Sequence, residues 1–382
     1  MKKIATLALL ALASPLFAQE EEKTIVVTAR SLADTANDLA GCVARNCPPD
    51  EDVKATLTHA ENQFVAGDYK AARQTLLKSV GRNRDDAKGY PVPVSDLHRA
   101  NARIAAHLGE GQSYLLATLD SRSALKAGLP DDDWRVLVST IEVADMRAKL
   151  GYPDEAERIY AEVSQKARAR NWTALVWASE VRTALIQLNS PGTAEKAKGR
   201  RALEALALTE GAEARPIRLA AKVLLARSAR KAGSDAETEA LIAEYAAQGG
   251  SARPTLIFAE AIKQLPEIDN QTRANSLGKM AMDTYEDRWA DVGFWVQPDG
   301  RVNEVEVLRS SGKGLDWTKP VLTSLTSRRY APLKVEPGDP GFYMVERYTL
   351  TAMWEDRLGT RIRQRARAPR IERIDMTVEQ KR

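Results

Sequence analysis

The sequence predicts a mainly α protein, an α-helical solenoid followed by a small α/β domain. Residues 53–249 are rich in Ala, Leu, Arg and Glu, and their apolar residues recur at helical spacing. Residues 286–354 instead show the alternation of strands and hold four of the seven tryptophans. A chain of 382 residues is also too long for one compact core, which favours two domains.

The first 18 residues predict a cleaved signal peptide. An apolar run, Ile4 to Leu12, follows two lysines, and Ala18 is the small residue before the cleavage site. A retained membrane anchor is the alternative, but it would need about 20 consecutive apolar residues, and Pro15 interrupts this run. We therefore expect a soluble protein that is exported to the periplasm.

Residues 19–52 are predicted to be an extended segment with two local features. Cys42 and Cys47 lie in "GCVARNCPP", and a disulfide is the expected state in an oxidising compartment. Zinc binding is the alternative, but only His59 follows as a nearby ligand, so no metal site is predicted. The second feature is a β-prone hexapeptide made of Thr24, Ile25, Val26, Val27, Thr28 and Ala29.

Glycines divide the region 53–249 into helix pairs. Gly151 is suited to end one helix because glycine takes the left-handed conformation of a C-terminal cap. The spacing of Ala144, Gly151 and Ala156 repeats that of Ala60, Gly67 and Ala72. This register resembles tetratricopeptide repeats, in which small residues let paired helices approach; a generic α-helical solenoid is the alternative. Such stacks present surfaces that bind other polypeptides.

After a connector, predicted to be helical over residues 250–285, residues 286–354 predict the order strand, turn, strand, helix, loop, strand. The hairpin turn is assigned to Pro298, Asp299 and Gly300. This order, together with "QPDGRV", "VEVLRSSG" and "SRRYAPLK", resembles the TonB C-terminal domain. Domains of that family bind an extended peptide at a sheet edge. The resemblance implies that this edge is the last strand, with Met344, Val345, Glu346, Arg347, Tyr348, Thr349, Leu350 and Thr351.

The hexapeptide "TIVVTA" resembles the TonB box, the segment of outer-membrane receptors that TonB captures. The chain thus combines a box-like segment with a domain that resembles a box reader. Three hypotheses follow: the segment occupies its own domain, exchanges between two copies, or recruits a separate TonB. A chance likeness or an ordinary N-terminal strand is the alternative.

The last residues, 355–382, form a basic tail, with nine basic and three acidic residues from Arg357 onward. The sequence favours a solvated, disordered tail, and a basic strand in weak contact with anionic envelope polymers is the alternative. The net charge of the whole chain is only +4, which argues against nucleic-acid binding.

No catalytic motif is found, and the three histidines form no metal pattern, so neither an enzyme nor a cofactor is predicted. We expect a periplasmic adaptor that binds protein partners, among them outer-membrane receptors, TonB or its own N-terminal segment. The alternatives are an atypical TonB-family energy transducer and a structural envelope protein without a peptide ligand. TonB proteins keep an N-terminal membrane helix and a proline-rich spacer, neither of which is predicted here.

Overall fold

The computed structural model describes residues 30–231, 233–262, 288–312, 314–356, 363–366 and 369–377. These residues form a series of helices and then a small antiparallel sheet. Consecutive helices pack against each other along the chain. The helices are α1 Leu32–Ala44, α2 Pro49–Val65, α3 Tyr69–Asn83, α4 Pro91–His107, α5 Gly111–Gly128, α6 Trp134–Lys149, α7 Pro153–Ala169, α8 Thr173–Asn189, α9 Thr193–Ala207, α10 Arg215–Lys231 and α11 Ala236–Ala247.

Local chemistry sets the helix boundaries. Proline occupies the first position of α2, α4 and α7, where its missing N–H costs no hydrogen bond. The Asp68 side chain caps α3 by accepting from the backbone N–H of Ala71 at 2.9 Å. Gly67 and Gly151 both have φ of 90°, so they turn the chain between α2 and α3 and between α6 and α7.

The helical region starts earlier than the sequence predicted. Residues 19–52 were expected to be extended, but Leu32–Ala44 is a helix that packs on α2. Ser31 caps this helix. The hydroxyl of Thr35, in the first turn of the helix, lies 3.0 Å from Nδ1 of His59 in α2. The predicted disulfide between Cys42 and Cys47 is present and fixes the turn before α2. The β-prone run is confined to Thr24–Ala29 and does not continue into Leu32–Ala44. The prediction of an extended segment was wrong for Leu32–Ala44 because it treated both stretches as one.

The C-terminal sheet has four antiparallel strands in the order β3-β2-β5-β8. A short helix, α12, connects β3 to the second half of the sheet, and two further strand pairs, β1-β4 and β6-β7, lie outside it. The bounds are β1 Leu256–Phe258, β2 Trp289–Val296, β3 Val302–Ser310, α12 Lys319–Thr326, β4 Arg329–Tyr330, β5 Phe342–Thr351, β6 Trp354–Asp356, β7 Arg363–Arg365 and β8 Arg370–Asp375.

The central strands β2 and β5 are covered on both faces. One face packs against Trp317 and the α12 residues Val321 and Leu325. The opposite face carries Trp289 and Arg347 toward the helical region. Strand residues alternate between the two faces, which explains why β2 is buried along almost its whole length.

Two segments differ from the sequence prediction. The tail was expected to be solvated, but its residues Arg370–Asp375 form β8 and pair with β5. The connector 250–285 was expected to be helical, but its described part contains β1, which pairs with β4. In β8 the charged residues of "RIERID" hide the strand pattern, whereas β1, "LIF", is apolar but only three residues long. None of the helices in the described ranges combines the length and the hydrophobicity that a membrane span requires.

Candidate functional site

The sheet contacts the C-terminal ends of three alternate helices. Phe64 and Val65 end α2, His107 ends α4, and Lys149 ends α6, and each of the three ends touches a residue of β5 or β8. At the opposite end of the helical region, Arg227 of α10 donates hydrogen bonds to the carbonyls of β1. The helices expected to hold other polypeptides thus hold the protein's own C-terminal domain. We call the contact of α2 and α4 with β2 and β5 the helix–sheet junction.

Arg347 lies at the centre of the junction. Its side chain is fully buried, with Nε 2.6 Å from Oδ1 of Asp291 on the neighbouring strand. The same guanidinium donates to the carbonyl oxygens of Phe64 and of Val65, the latter at 2.7 Å. Carbonyls at the end of a helix lack intrahelical partners and carry partial negative charge, so Arg347 caps α2 from the sheet.

A hydrogen-bonded group at the same junction includes His107. The hydroxyl of Thr349 lies 2.9 Å from the hydroxyl of Tyr69 and 2.9 Å from Nδ1 of His107. Burial, together with the nearby charges of Lys149, Arg347 and Arg103, lowers the pKa of His107 to about 3. His107 is therefore neutral at physiological pH and joins helix to sheet as a hydrogen-bonding group.

Gly67 serves both the helix pair and the junction. A Cβ atom at this position would lie 2.4 Å from the ring of Trp289, so any other side chain would displace that tryptophan. The repeat glycine that the sequence assigned to a turn thus also makes room for the first residue of β2.

The predicted peptide-pairing edge is not free over most of its length, which corrects the sequence analysis. Met344–Thr351 lies in β5, and this strand pairs with β2 on one side. On its other side, β8 pairs with β5 from Glu346 to Thr351, and the backbone N–H of Met376 donates to the carbonyl of Val345 at 2.8 Å. Because the tail supplies this strand, an added peptide would have to displace it.

The other predicted site residues fall in different places. Pro298, Asp299 and Gly300 lie between β2 and β3, and Gly300 has φ of 81°, as a turn glycine requires. The box-like residues Thr24–Ala29 lie outside the described residues. The first described residue, Arg30, is held by its carbonyl oxygen, which accepts from the side-chain amide of Asn62 at 2.8 Å.

A groove of about 1180 Å³ lies beside the junction, and we call it the junction groove. One wall is formed by α2 and α4, and the other by residues of β2, β3 and β5 and by the end of β8. Its apolar lining includes Leu57, Ala60, Ala100, Ile104, Val345 and Met376. This volume exceeds the roughly 300–1,000 Å³ of small-molecule pockets.

A smaller polar cleft of about 320 Å³ adjoins this groove, and Arg99, Arg103 and Arg373 line both. Its charged groups are mostly paired with each other: Lys149 contacts Glu372 at 2.7 Å, and Arg99 contacts Glu142 at 3.0 Å. His107 also lines the cleft, but a histidine with a pKa of about 3 is too weak a base for catalysis near neutral pH. The cleft residues therefore support binding better than chemistry.

The pairing of Asp291 with Arg347 was not predicted from the sequence. Asp291 is the single charge in the apolar strand "WADVGFWV", and Arg347 follows Glu346 in "FYMVERYTLT". A charge at a core-facing position needs a buried partner, so two opposite charges in neighbouring strands are the signal that could have identified them.

The comparisons of this chain with known proteins found no match. No family model, no curated protein and no solved structure matches this chain. The likenesses to tetratricopeptide repeats and to the TonB C-terminal domain therefore rest on the sequence motifs alone.

Proposed function

We propose that this protein is a non-enzymatic adaptor of the periplasm that binds an extended, apolar polypeptide segment in the junction groove. In this proposal the tetratricopeptide-like helices form one wall of the site and the TonB-like domain forms the other. The groove carries the proposal because it is large, has an apolar floor flanked by charged side chains of both signs, and is built from both parts of the chain.

The groove walls favour an extended ligand with branched apolar side chains. Leu57 and Ala100 are part of the groove lining, and both are only partly buried against the neighbouring core. Side chains that project alternately from an extended backbone would bury apolar area against both walls, and each buried methylene contributes about 0.8 kcal/mol.

This site replaces the edge that the resemblance implied. Strand addition to β5 would require loss of the pairing with β8 over Glu346–Thr351. The outer strand β3 is an unfavourable alternative because its pairing with β2 shifts register twice and Glu304 has φ of 50°. Bulges and charges on an edge strand oppose the addition of another strand.

The proposal is tested by titrating a labelled peptide of sequence EEKTIVVTAR, residues 21–30, onto the mature chain. Ala100→Trp should fill the groove and weaken binding by at least about tenfold, or 1.4 kcal/mol. Leu116→Trp is the matched control because Leu116 is an exposed residue of α5 outside the groove lining. Equal affinity of both variants would refute the groove as the binding site.

A further inference from the structure

A second cavity, of about 700 Å³, lies between α10, the end of α11 and the segment that leads into β1. We call it the α10 cavity. Its volume falls within the roughly 300–1,000 Å³ of small-molecule pockets, and it shares no lining residue with the junction groove. The apolar part of its lining consists of Pro216, Leu219, Ala220, Val223 and Leu256. The α10 cavity is therefore a separate site with the size and the apolar wall that a small molecule needs.

Backbone hydrogen bonds fix one wall of the cavity. The N–H of Ser251 donates to the carbonyl of Pro332 at 2.7 Å, and the N–H of Lys334 donates to the carbonyl of Ser251 at 2.9 Å. Gly250 has φ of 83°, and a Cβ atom there would lie 2.9 Å from the backbone of Leu333. Glycine thus lets the two segments approach closely, which holds Lys334 in the cavity wall.

The described residues that line the α10 cavity include two cations and no carboxylate. Arg215 begins α10 and donates to Oε1 of Gln248 at 3.1 Å, and neither Arg215 nor Lys334 forms an ion pair with a described residue. Glu244, on the same helix as Tyr245, is outside the lining and is paired with Lys222 at 2.6 Å. The first turn of α10 adds the partial positive charge of a helix N-terminus. This lining therefore favours a negatively charged ligand.

Tyr245 supplies a donor for such a ligand. Its side chain is 4% exposed and packs with Val223 and Ile257, and the residue also lines the α10 cavity. In the part of the chain that the structure describes, its hydroxyl has no hydrogen-bond partner. Burial raises the pKa of Tyr245, so the hydroxyl keeps its proton at neutral pH. A buried hydroxyl without a partner gains a hydrogen bond when an anion enters the cavity.

We propose that the α10 cavity binds a small organic anion with an apolar chain, of the class of the medium-chain carboxylates. Arg215 and Lys334 attract the carboxylate, and the Tyr245 hydroxyl donates a hydrogen bond to it. The apolar chain packs against Leu219 and Val223. This site is distinct from the proposed peptide site, and neither depends on the other.

The first test is a calorimetric titration of octanoate onto the mature chain, with 1-octanol as the uncharged ligand of equal chain length. Octanoate should bind saturably and at least about tenfold more tightly than 1-octanol, which corresponds to 1.4 kcal/mol. Equal affinity of the two ligands, or no saturable binding of octanoate, would overturn the inference.

The second test locates the site. Arg215→Gln combined with Lys334→Gln should weaken octanoate binding by at least about tenfold and leave 1-octanol binding unchanged. Lys196→Gln combined with Arg201→Gln is the matched control, because it removes the same charge from exposed positions of α9 outside the lining. Similar losses in both double variants would overturn the site. Ala100→Trp, which fills the junction groove, should leave octanoate binding unchanged, and a loss in that variant would place octanoate in the groove instead.

Discussion

Arg347 and Asp291 form a buried ion pair between β5 and β2, with Nε and Oδ1 2.6 Å apart and both side chains at most 2% exposed. The guanidinium also lies 4.2 Å from the ring centre of Trp289 and donates to the last carbonyls of α2. One side chain thus connects the sheet, the helical region and the tryptophan that fits against Gly67. The junction beside the candidate site depends on this pair.

Replacing Arg347 should therefore destabilise the whole protein. Arg347→Met leaves Asp291 without its buried partner and removes the donors to Phe64 and Val65. Breaking a buried pair in this way typically costs about 3–5 kcal/mol in the free energy of unfolding, measurable by urea denaturation. Arg309→Gln is the control, since Arg309 contacts the same carboxylate from a half-exposed position, and it should cost less than about 1 kcal/mol. Similar losses for both variants would show that burial of Arg347 is not decisive.

His107 should make the fold sensitive to acid. Its pKa in the folded protein is about 3, below the ordinary value of 6.5, so the unfolded chain binds a proton more readily than the folded chain. Its contribution is present above about pH 6.5 and is lost as the pH falls toward 3, by at most about 1.4 kcal/mol per pH unit. His107→Gln retains a hydrogen-bonding group for Thr349 and does not titrate.

The free energy of unfolding of His107→Gln should accordingly decline less steeply between about pH 6 and pH 4 than that of the parent protein. His59→Gln is the control, because His59 is only partly buried and lies away from the junction. If the free energy of unfolding of His107→Gln falls with pH as steeply as that of the parent protein, other groups cause the acid sensitivity.

Truncation after Pro369 should expose the edge of β5. This change removes β8 and its ion pair with Lys149. Amides in Glu346–Thr351 should then exchange with solvent at least about tenfold faster by hydrogen-exchange mass spectrometry. Amides of β3 should keep their protection, which shows that the rest of the sheet remains folded. Lys149→Ala, which breaks the ion pair but keeps the strand, should leave β5 protected; rapid exchange in that variant would contradict the role of strand pairing.

Asp52 should stabilise the pairing of α2 with α3. Its buried carboxylate accepts hydrogen bonds from Arg82 at 2.6 Å and 2.7 Å and from Asn83 at 2.8 Å. Burial raises the pKa of Asp52, but the hydrogen bonds from Arg82, Asn83 and Thr56 outweigh it and leave the pKa lowered. Its contribution is therefore present above the ordinary carboxyl pKa of 3.8 and is lost as the pH falls below that value.

At neutral pH, Asp52→Asn should cost about 2–3 kcal/mol in thermal or urea unfolding, since the bonds from Arg82 and Asn83 to a charged acceptor are lost and only one acceptor oxygen remains. Asp50→Asn, an exposed change in the same helical turn, is the control and should cost less than about 1 kcal/mol. If the two substitutions proved equal, the network around Asp52 would carry no special stability.

The sequence by itself determined the local structure of this protein. Apolar spacing, prolines at helix starts and glycines such as Gly151 act within a few residues, so they predict helices and turns wherever those residues are placed. The disulfide of Cys42 and Cys47 was predictable for the same reason, because its partners lie within one short loop. The strand order of residues 286–354 followed from alternation and from the turn at Gly300.

Only the tertiary structure decided which surfaces are occupied. The strand β8 has a charged sequence, "RIERID", and its pairing with β5 depends on a partner edge that lies distant in the chain. The capping of α2 by Arg347 likewise joins residues separated by more than 280 positions. Such contacts form because a buried charge needs a partner and because the faces of packed elements must fit each other. Neither requirement can be read from the sequence of one helix or strand alone. The position of the junction groove between α2, α4 and the sheet is a product of these long-range contacts.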